Sequence, residues 1–140
     1  MINFIKKNYL YLVFGVSFIA MIISLYFSAI LQWAPCLLCW YQRIFMYPIV
    51  IISLVGIFKK DRSAGCYIMP LAVIGTLIAI FHNLLYWGIV PEGFIPCVNG
   101  VSCKSDNLQL FGIITIPLLS LIAFMVIDFI VVIYKKYENK

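Results

Sequence analysis

Residues 34–60 read APCLLCWYQRIFMYPIVIISLVGIFKK, and this stretch decides the fold. From Leu37 to Phe58 it is apolar apart from Gln42, Arg43 and Ser53, and it stops at two lysines. A run of that length matches the roughly 20 residues a helix needs to cross a bilayer. Three further runs share its character, from about Tyr9 to Leu31, Tyr67 to Trp87 and Leu108 to Tyr134. The chain has 140 residues, 65% of them hydrophobic, and a mean hydropathy of +1.09, which leaves no length for a separate soluble domain. The expectation is one domain over 1–140, an all-α integral membrane protein built as a four-transmembrane-helix bundle with two outer loops.

The first run follows Lys6 and Lys7, as a secretory signal would. It is longer than the roughly 7 to 15 residues of a signal's apolar region, and no clear A-x-A site follows, so it reads as a retained span. The basic residues then set the orientation. Lys6 and Lys7 precede span one, Lys59, Lys60 and Arg62 separate spans two and three, and Lys135, Lys136 and Lys140 follow span four. An even number of spans puts all of these on one face, against Arg43 and Lys104 on the other, so both termini are expected in the cytoplasm. The net charge of +5 thus reports topology, and no basic stripe or recognisable module points to nucleic acid.

That topology sorts the five cysteines. Cys36 and Cys39 open span two on the outer side, Cys97 and Cys103 lie in the second outer loop at about 88–107, and Cys66 sits at the cytoplasmic start of span three as an ordinary small apolar residue. For Cys97 and Cys103 the intervening VNGVS carries an Asn-Gly turn signal that can bring the sulfurs together, and a structural bridge is one reading. A staple explains Cys36 and Cys39 less well, because a helix already fixes residues three apart. Redox chemistry explains that spacing better. A four-thiolate zinc site also needs four convergent cysteines, but zinc knuckles present C-x-x-C on tight turns in water, whereas this pair leads into a bilayer helix.

Pro35 suits the first position of a helix, which would put Cys36 in the first turn, a place suited to negative charge. At about 100° per residue, Cys39 lies about 60° from Cys36 around the axis and Arg43 about 20° from it, so the three share a face. A guanidinium at that depth either meets a polar partner in the bundle or snorkels to the headgroups. A fixed cation there would stabilise an acceptor that becomes an anion on reduction. The sequence has no dinucleotide loop, no pair of intramembrane histidines for haem and no iron-sulfur spacing, which leaves a lipid-soluble quinone by exclusion. His82, on the outward half of span three, is either a hydrogen-bonded packing residue or a quinone contact. Asp128 reads as paired or hydrated near the cytoplasmic edge, about 30 Å along span four from Leu108.

Four spans, P-C-L-L-C-W-Y-Q-R opening the second and P-C-V-N-G-V-S-C in the last outer loop resemble the DsbB family of disulfide-bond formation proteins, most closely its short Gram-positive branch, known as BdbC. The resemblance covers essentially the whole chain. It implies a multi-pass protein of the bacterial cell membrane that reoxidises an extracytoplasmic thioredoxin-fold thiol oxidase of the DsbA or BdbD kind and passes electrons to the membrane quinone pool, menaquinone or ubiquinone. It implies redox disulfides Cys36–Cys39 and Cys97–Cys103, with Cys39 nearer the quinone, Arg43 holding it, Cys97 attacked by the partner and Cys103 as loop mate. The loop cysteines here are closer in sequence than in proteobacterial members, so the resemblance leaves the order of exchange open. His82 falls near a family histidine beside the quinone.

Two rivals stand against this. An outward conduit of reducing equivalents would need thiols facing the cytoplasm, where only Cys66 lies. A small tetraspan assembly or transport protein with two structural disulfides predicts bridges that are reduced slowly and ignore quinone. The related four-helix vitamin K epoxide reductases place C-x-x-C on their last span, unlike this chain.

Overall fold

The computed structural model describes residues 2–32, 36–91, 93 and 115–138. It contains four long helices: α1 (Ile2–Ala29), α2 (Leu37–Lys59), α3 (Ala64–Tyr86) and α4 (Ile116–Glu138). Each is long and apolar enough to cross a membrane, and no further α-helix is seen among the described residues. Each of α1 and α3 packs against both α2 and α4, which makes a ring of four.

Two of the expected spans shift at their ends. α1 begins earlier than Tyr9, but its backbone breaks from helical geometry at Asn8 (φ −118°, ψ 16°), so the straight segment starts where the apolar run does. α4 begins at Ile116 rather than near Leu108. Thr115 marks that start: its hydroxyl accepts from the Leu118 amide at 3.4 Å, and its carbonyl accepts from the Leu119 amide. Pro117 in the first turn costs no intrahelical hydrogen bond.

The α2–α3 connection is a tight helical hairpin. Lys60 adopts a left-handed conformation (φ 53°), and the Lys60 and Asp61 amides donate back to the Ile57 and Gly56 carbonyls. Asp61 then accepts from the Ser63 amide at 2.8 Å. Two tyrosines from the far ends of the chain close over this turn. The Tyr9 and Tyr134 rings stack at 3.7 Å, and both hydroxyls donate to the Arg62 carbonyl. The start of α1, the end of α4 and the α2–α3 turn therefore occupy one end of the bundle, as an even number of spans requires. Lys59, Lys60, Arg62, Lys135 and Lys136 all fall at this end.

The core runs along the ring interior through Val13, Ile49, Ile68, Ala72, Phe124 and Ile127, all fully buried. Small residues let the helices approach, as is usual where lipid removes the hydrophobic drive between spans. Gly75 is the clearest case: a methyl group there would fall inside the space of the buried Phe124 ring. Two buried serines in the spans are satisfied within their own helix, Ser17 and Ser53 donating to carbonyls four residues back.

Asp128 corrects an expectation. It lies about 18 Å from the start of α4, in the middle third of the helix rather than near its edge. The apolar run from Leu108 made the span read longer toward its start than the helix is. Asp128 is paired, because Thr76 of α3 donates its hydroxyl at 2.7 Å.

Candidate functional site

At the opposite end of the bundle from the tyrosines, α2 starts with a thiol. Cys36 is the N-cap, with extended backbone (φ −67°, ψ 167°), and Leu37 is the first helical residue. This moves Cys36 one step outside the first turn in which it was expected. The reason is that a cap residue supplies its carbonyl to the helix while its own dihedrals stay extended, and the Cys36 carbonyl accepts from the Trp40 amide at 3.1 Å. Pro35 lies outside the described residues. One turn on, the Cys39 sulfur comes within 2.9 Å of the Cys36 sulfur. Cys36 is buried against Leu38 and Leu85, and Cys39 is half-buried beside them.

Across from the pair stands α3. His82, one turn before the end of that helix, is fully buried, and its Nε2 lies 3.6 Å from the Cys36 sulfur. Its other ring nitrogen, Nδ1, meets the side-chain amide nitrogen of Gln42 at 3.2 Å. An amide N–H donating into Nδ1 leaves the ring proton on Nε2, so the imidazole presents an N–H to the sulfur. The next residue, Asn83, locks the end of α3 in place: its amide donates to the Ala79 carbonyl at 2.8 Å and the Pro117 carbonyl of α4 at 2.9 Å.

Arg43 turns the other way. Its guanidinium donates to the Ser24 carbonyl at 3.1 Å and to the Ser28 hydroxyl, both on α1, and lies 5.6 Å from the centre of the Trp40 ring. The head is thus gripped by a neighbouring helix, which answers the choice between a bundle partner and free snorkelling. Its Nε is buried and has no hydrogen-bond partner among the described residues.

Of the residues singled out from sequence, the structure gathers Cys36, Cys39 and His82 into one cluster, with Arg43 one residue from Gln42 and anchored to α1. Cys97 and Cys103 lie outside the described residues. Cys66 is exposed at the tyrosine end, far along α3 from His82. Gln42 was missed as a site residue. The signal was present, since Gln42 follows Cys39 by three residues, as Cys39 follows Cys36, and an amide inside an apolar span needs a partner. Ser24 and Ser28, one turn apart on α1, were missed because nothing in sequence says which helix Arg43 will face.

A four-helix membrane bundle that holds a close thiol pair at the head of one span, with an imidazole set against it, has the architecture of a membrane thiol protein. The family described as disulfide bond formation protein DsbB matches residues 6–134. Disulfide bond formation protein C of Bacillus subtilis is 47% identical over 85% of this chain and 86% of its own length. A probable disulfide formation protein of Metapseudomonas resinovorans is 36% identical over 92% of this chain and 90% of its own. The SPbeta prophage-derived disulfide bond formation protein B of Bacillus subtilis is 39% identical over 86% and 81%. No solved structure matches. The chain belongs to the DsbB family: it is a multi-pass bacterial membrane protein of disulfide bond formation and, by class, a thiol-disulfide oxidoreductase.

Proposed function

We propose that this chain is a protein-dithiol:quinone oxidoreductase, which reoxidises an extracytoplasmic thioredoxin-fold thiol oxidase and delivers the electrons to a membrane quinone, menaquinone or ubiquinone. Both termini and the α2–α3 turn face the cytoplasm in this reading, and the cysteine pair faces outward. The observation that carries it is the cluster itself, two sulfurs 2.9 Å apart with an imidazole nitrogen 3.6 Å from one of them. Such a pair interconverts between dithiol and disulfide with little movement of the chain, since C-x-x-C at a helix start already holds the sulfurs together.

The partner's thiolate attacks Cys97 and forms a mixed disulfide, releasing Cys103. Cys103 then attacks the Cys36 sulfur of the Cys36–Cys39 bond, and the Cys39 thiolate departs. The partner's second thiol displaces Cys97, which attacks Cys103 to restore the Cys97–Cys103 bond and frees Cys36. The reduced Cys36/Cys39 pair returns to a disulfide as it gives its two electrons to the quinone. His82 holds a proton at Nε2 against Cys36 as charge shifts between the sulfurs. The partner dithiol loses two electrons and two protons, and quinone reduction to quinol takes up both. Arg43 fits the acceptor side. It is a cation held by α1 close to the sulfur end of α2, with its buried Nε still able to donate, beside the exposed ring of Trp40.

The test is quinone reduction by the purified protein, supplied with a reduced thioredoxin-fold oxidase and with ubiquinone or menaquinone in turn. Cys36→Ser or Cys39→Ser abolishes it. Turnover at the unsubstituted rate in either variant sinks the relay. The alternative, an assembly or transport protein with structural bridges, predicts no quinone reduction and disulfides that resist reduction.

A further inference from the structure

We propose that the reduced Cys36–Cys39 pair and His82 form a binding site for a thiophilic divalent cation of filled d shell, zinc in kind, and that the site exists only while the pair is a dithiol. The two sulfurs and an imidazole nitrogen all lie within 4.8 Å of one another. Four-coordinate zinc, with bonds of about 2.3 Å to sulfur and about 2.0 Å to nitrogen, sets sulfur and nitrogen ligands about 3.5 Å apart and two sulfurs about 3.8 Å apart. The observed 3.6 Å from the Cys36 sulfur to Nε2 already meets the first spacing. The sulfurs, at 2.9 Å, need to part by less than about 1 Å, which a side-chain rotation of half-buried Cys39 supplies.

The charge also suits the place. Two thiolates neutralise a divalent cation, so the loaded site carries no net charge into a buried pocket, where an uncompensated charge is costly. Binding releases two protons, one from each thiol, and moves no electrons. His82 binds through the Nε2 lone pair, so its ring proton passes to Nδ1. Gln42 accommodates this by turning its amide, whose oxygen then accepts from Nδ1–H across the same 3.2 Å. Among the described residues three protein ligands converge, one short of a tetrahedral set. Oxidation to the disulfide consumes both thiolates and removes the site. Under the function proposed above, a bound cation therefore holds the pair reduced and stops turnover. The binding itself requires only that the pair be a dithiol.

The test uses the full chain in nanodiscs with Cys66, Cys97 and Cys103 replaced by serine, so that only this pair titrates, and cadmium ion as the probe. After reduction by a phosphine, one cadmium per chain is expected, seen as a thiolate-to-cadmium charge-transfer band. After diamide oxidation none is expected. Cys36→Ser abolishes the band, and His82→Gln weakens binding tenfold or more. Because a His82 variant can misfold, the cadmium-113 chemical shift of the protein with His82 intact serves as a second readout, and it must report a sulfur-sulfur-nitrogen donor set. Equal binding by the oxidised chain, affinity untouched by His82→Gln, or a shift without nitrogen overturns the proposal. Neither quinone nor partner enters the titration, so cadmium binding by this variant together with a failure of the unsubstituted protein to reduce quinone overturns the proposed function alone.

Discussion

The imidazole of His82 on α3 and the thiol of Cys36 at the N-cap of α2, 46 residues apart in sequence, meet at 3.6 Å in the buried end of the bundle. Gln42 stands behind the ring at 3.2 Å, and with its amide nitrogen toward Nδ1 it pairs with the tautomer that carries the proton on Nε2. A thiol pair at a helix start becomes a three-residue cluster only because α3 delivers this ring.

Gln42 acts through His82, so its test must separate positioning from packing. Gln42→Glu keeps the volume but offers only acceptors, which draws the ring proton to Nδ1 and takes the N–H away from sulfur. Turnover is expected to fall about tenfold with KM for the partner unchanged, and His82→Ala to fall about a hundredfold, near the low end of what positioned proton transfer contributes. Nitrogen-15 shifts of His82 should report the exchanged tautomer. Unaltered shifts in Gln42→Glu would contradict the assignment.

Arg43 is held by the Ser24 carbonyl and the Ser28 hydroxyl. Arg43→Lys loses the planar fork and is expected to raise KM for quinone about tenfold, equal to about 1.4 kcal/mol, while formation of the mixed disulfide at Cys97 proceeds as before. Ser28→Ala should shift KM the same way by a smaller factor. Steady-state assays over a quinone series read both, and a KM indifferent to Arg43→Lys removes the residue from the acceptor site.

Gly75 faces the Phe124 ring, which is fully buried and has no room to retreat. Gly75→Leu should separate α3 from α4, at a cost of about 1–3 kcal/mol or more for overpacking. Thermal unfolding in detergent, followed by circular dichroism, should show a lower midpoint. An unchanged midpoint would mean that the helices do not approach as closely as described.

Cys66 is exposed at the end that carries Lys59, Lys60 and Arg62. With the other four cysteines replaced by serine, an impermeant maleimide should label Cys66 in inverted vesicles and leave it untouched in intact cells. The reverse pattern would invert the topology and place the Cys36 pair in the cytoplasm.

How far each of these features could be read in advance follows from its physics. The number of spans and the shared end of the termini follow from runs near the length of a bilayer crossing and from the placing of lysines, both one-dimensional properties. The Cys36–Cys39 pair and the amide of Gln42 at equal spacing were likewise legible, because helical periodicity alone puts them together. The start of α4 was not, since the apolar run from Leu108 looks the same whether or not it is helical, and the stop is set locally by Thr115 and Pro117.

What the sequence by itself determined, then, is four spans and a thiol pair with a cation at the head of the second. Only the tertiary structure decided that His82 meets Cys36, that Arg43 turns to α1, and that Asp128 sits in the middle of α4 against Thr76. Periodicity says which residues share a face of one helix. Which neighbour that face meets depends on the rotation of each helix about its axis. Close packing fixes that rotation, through contacts such as Gly75 on Phe124 and Tyr9 on Tyr134 that join residues far apart in the chain.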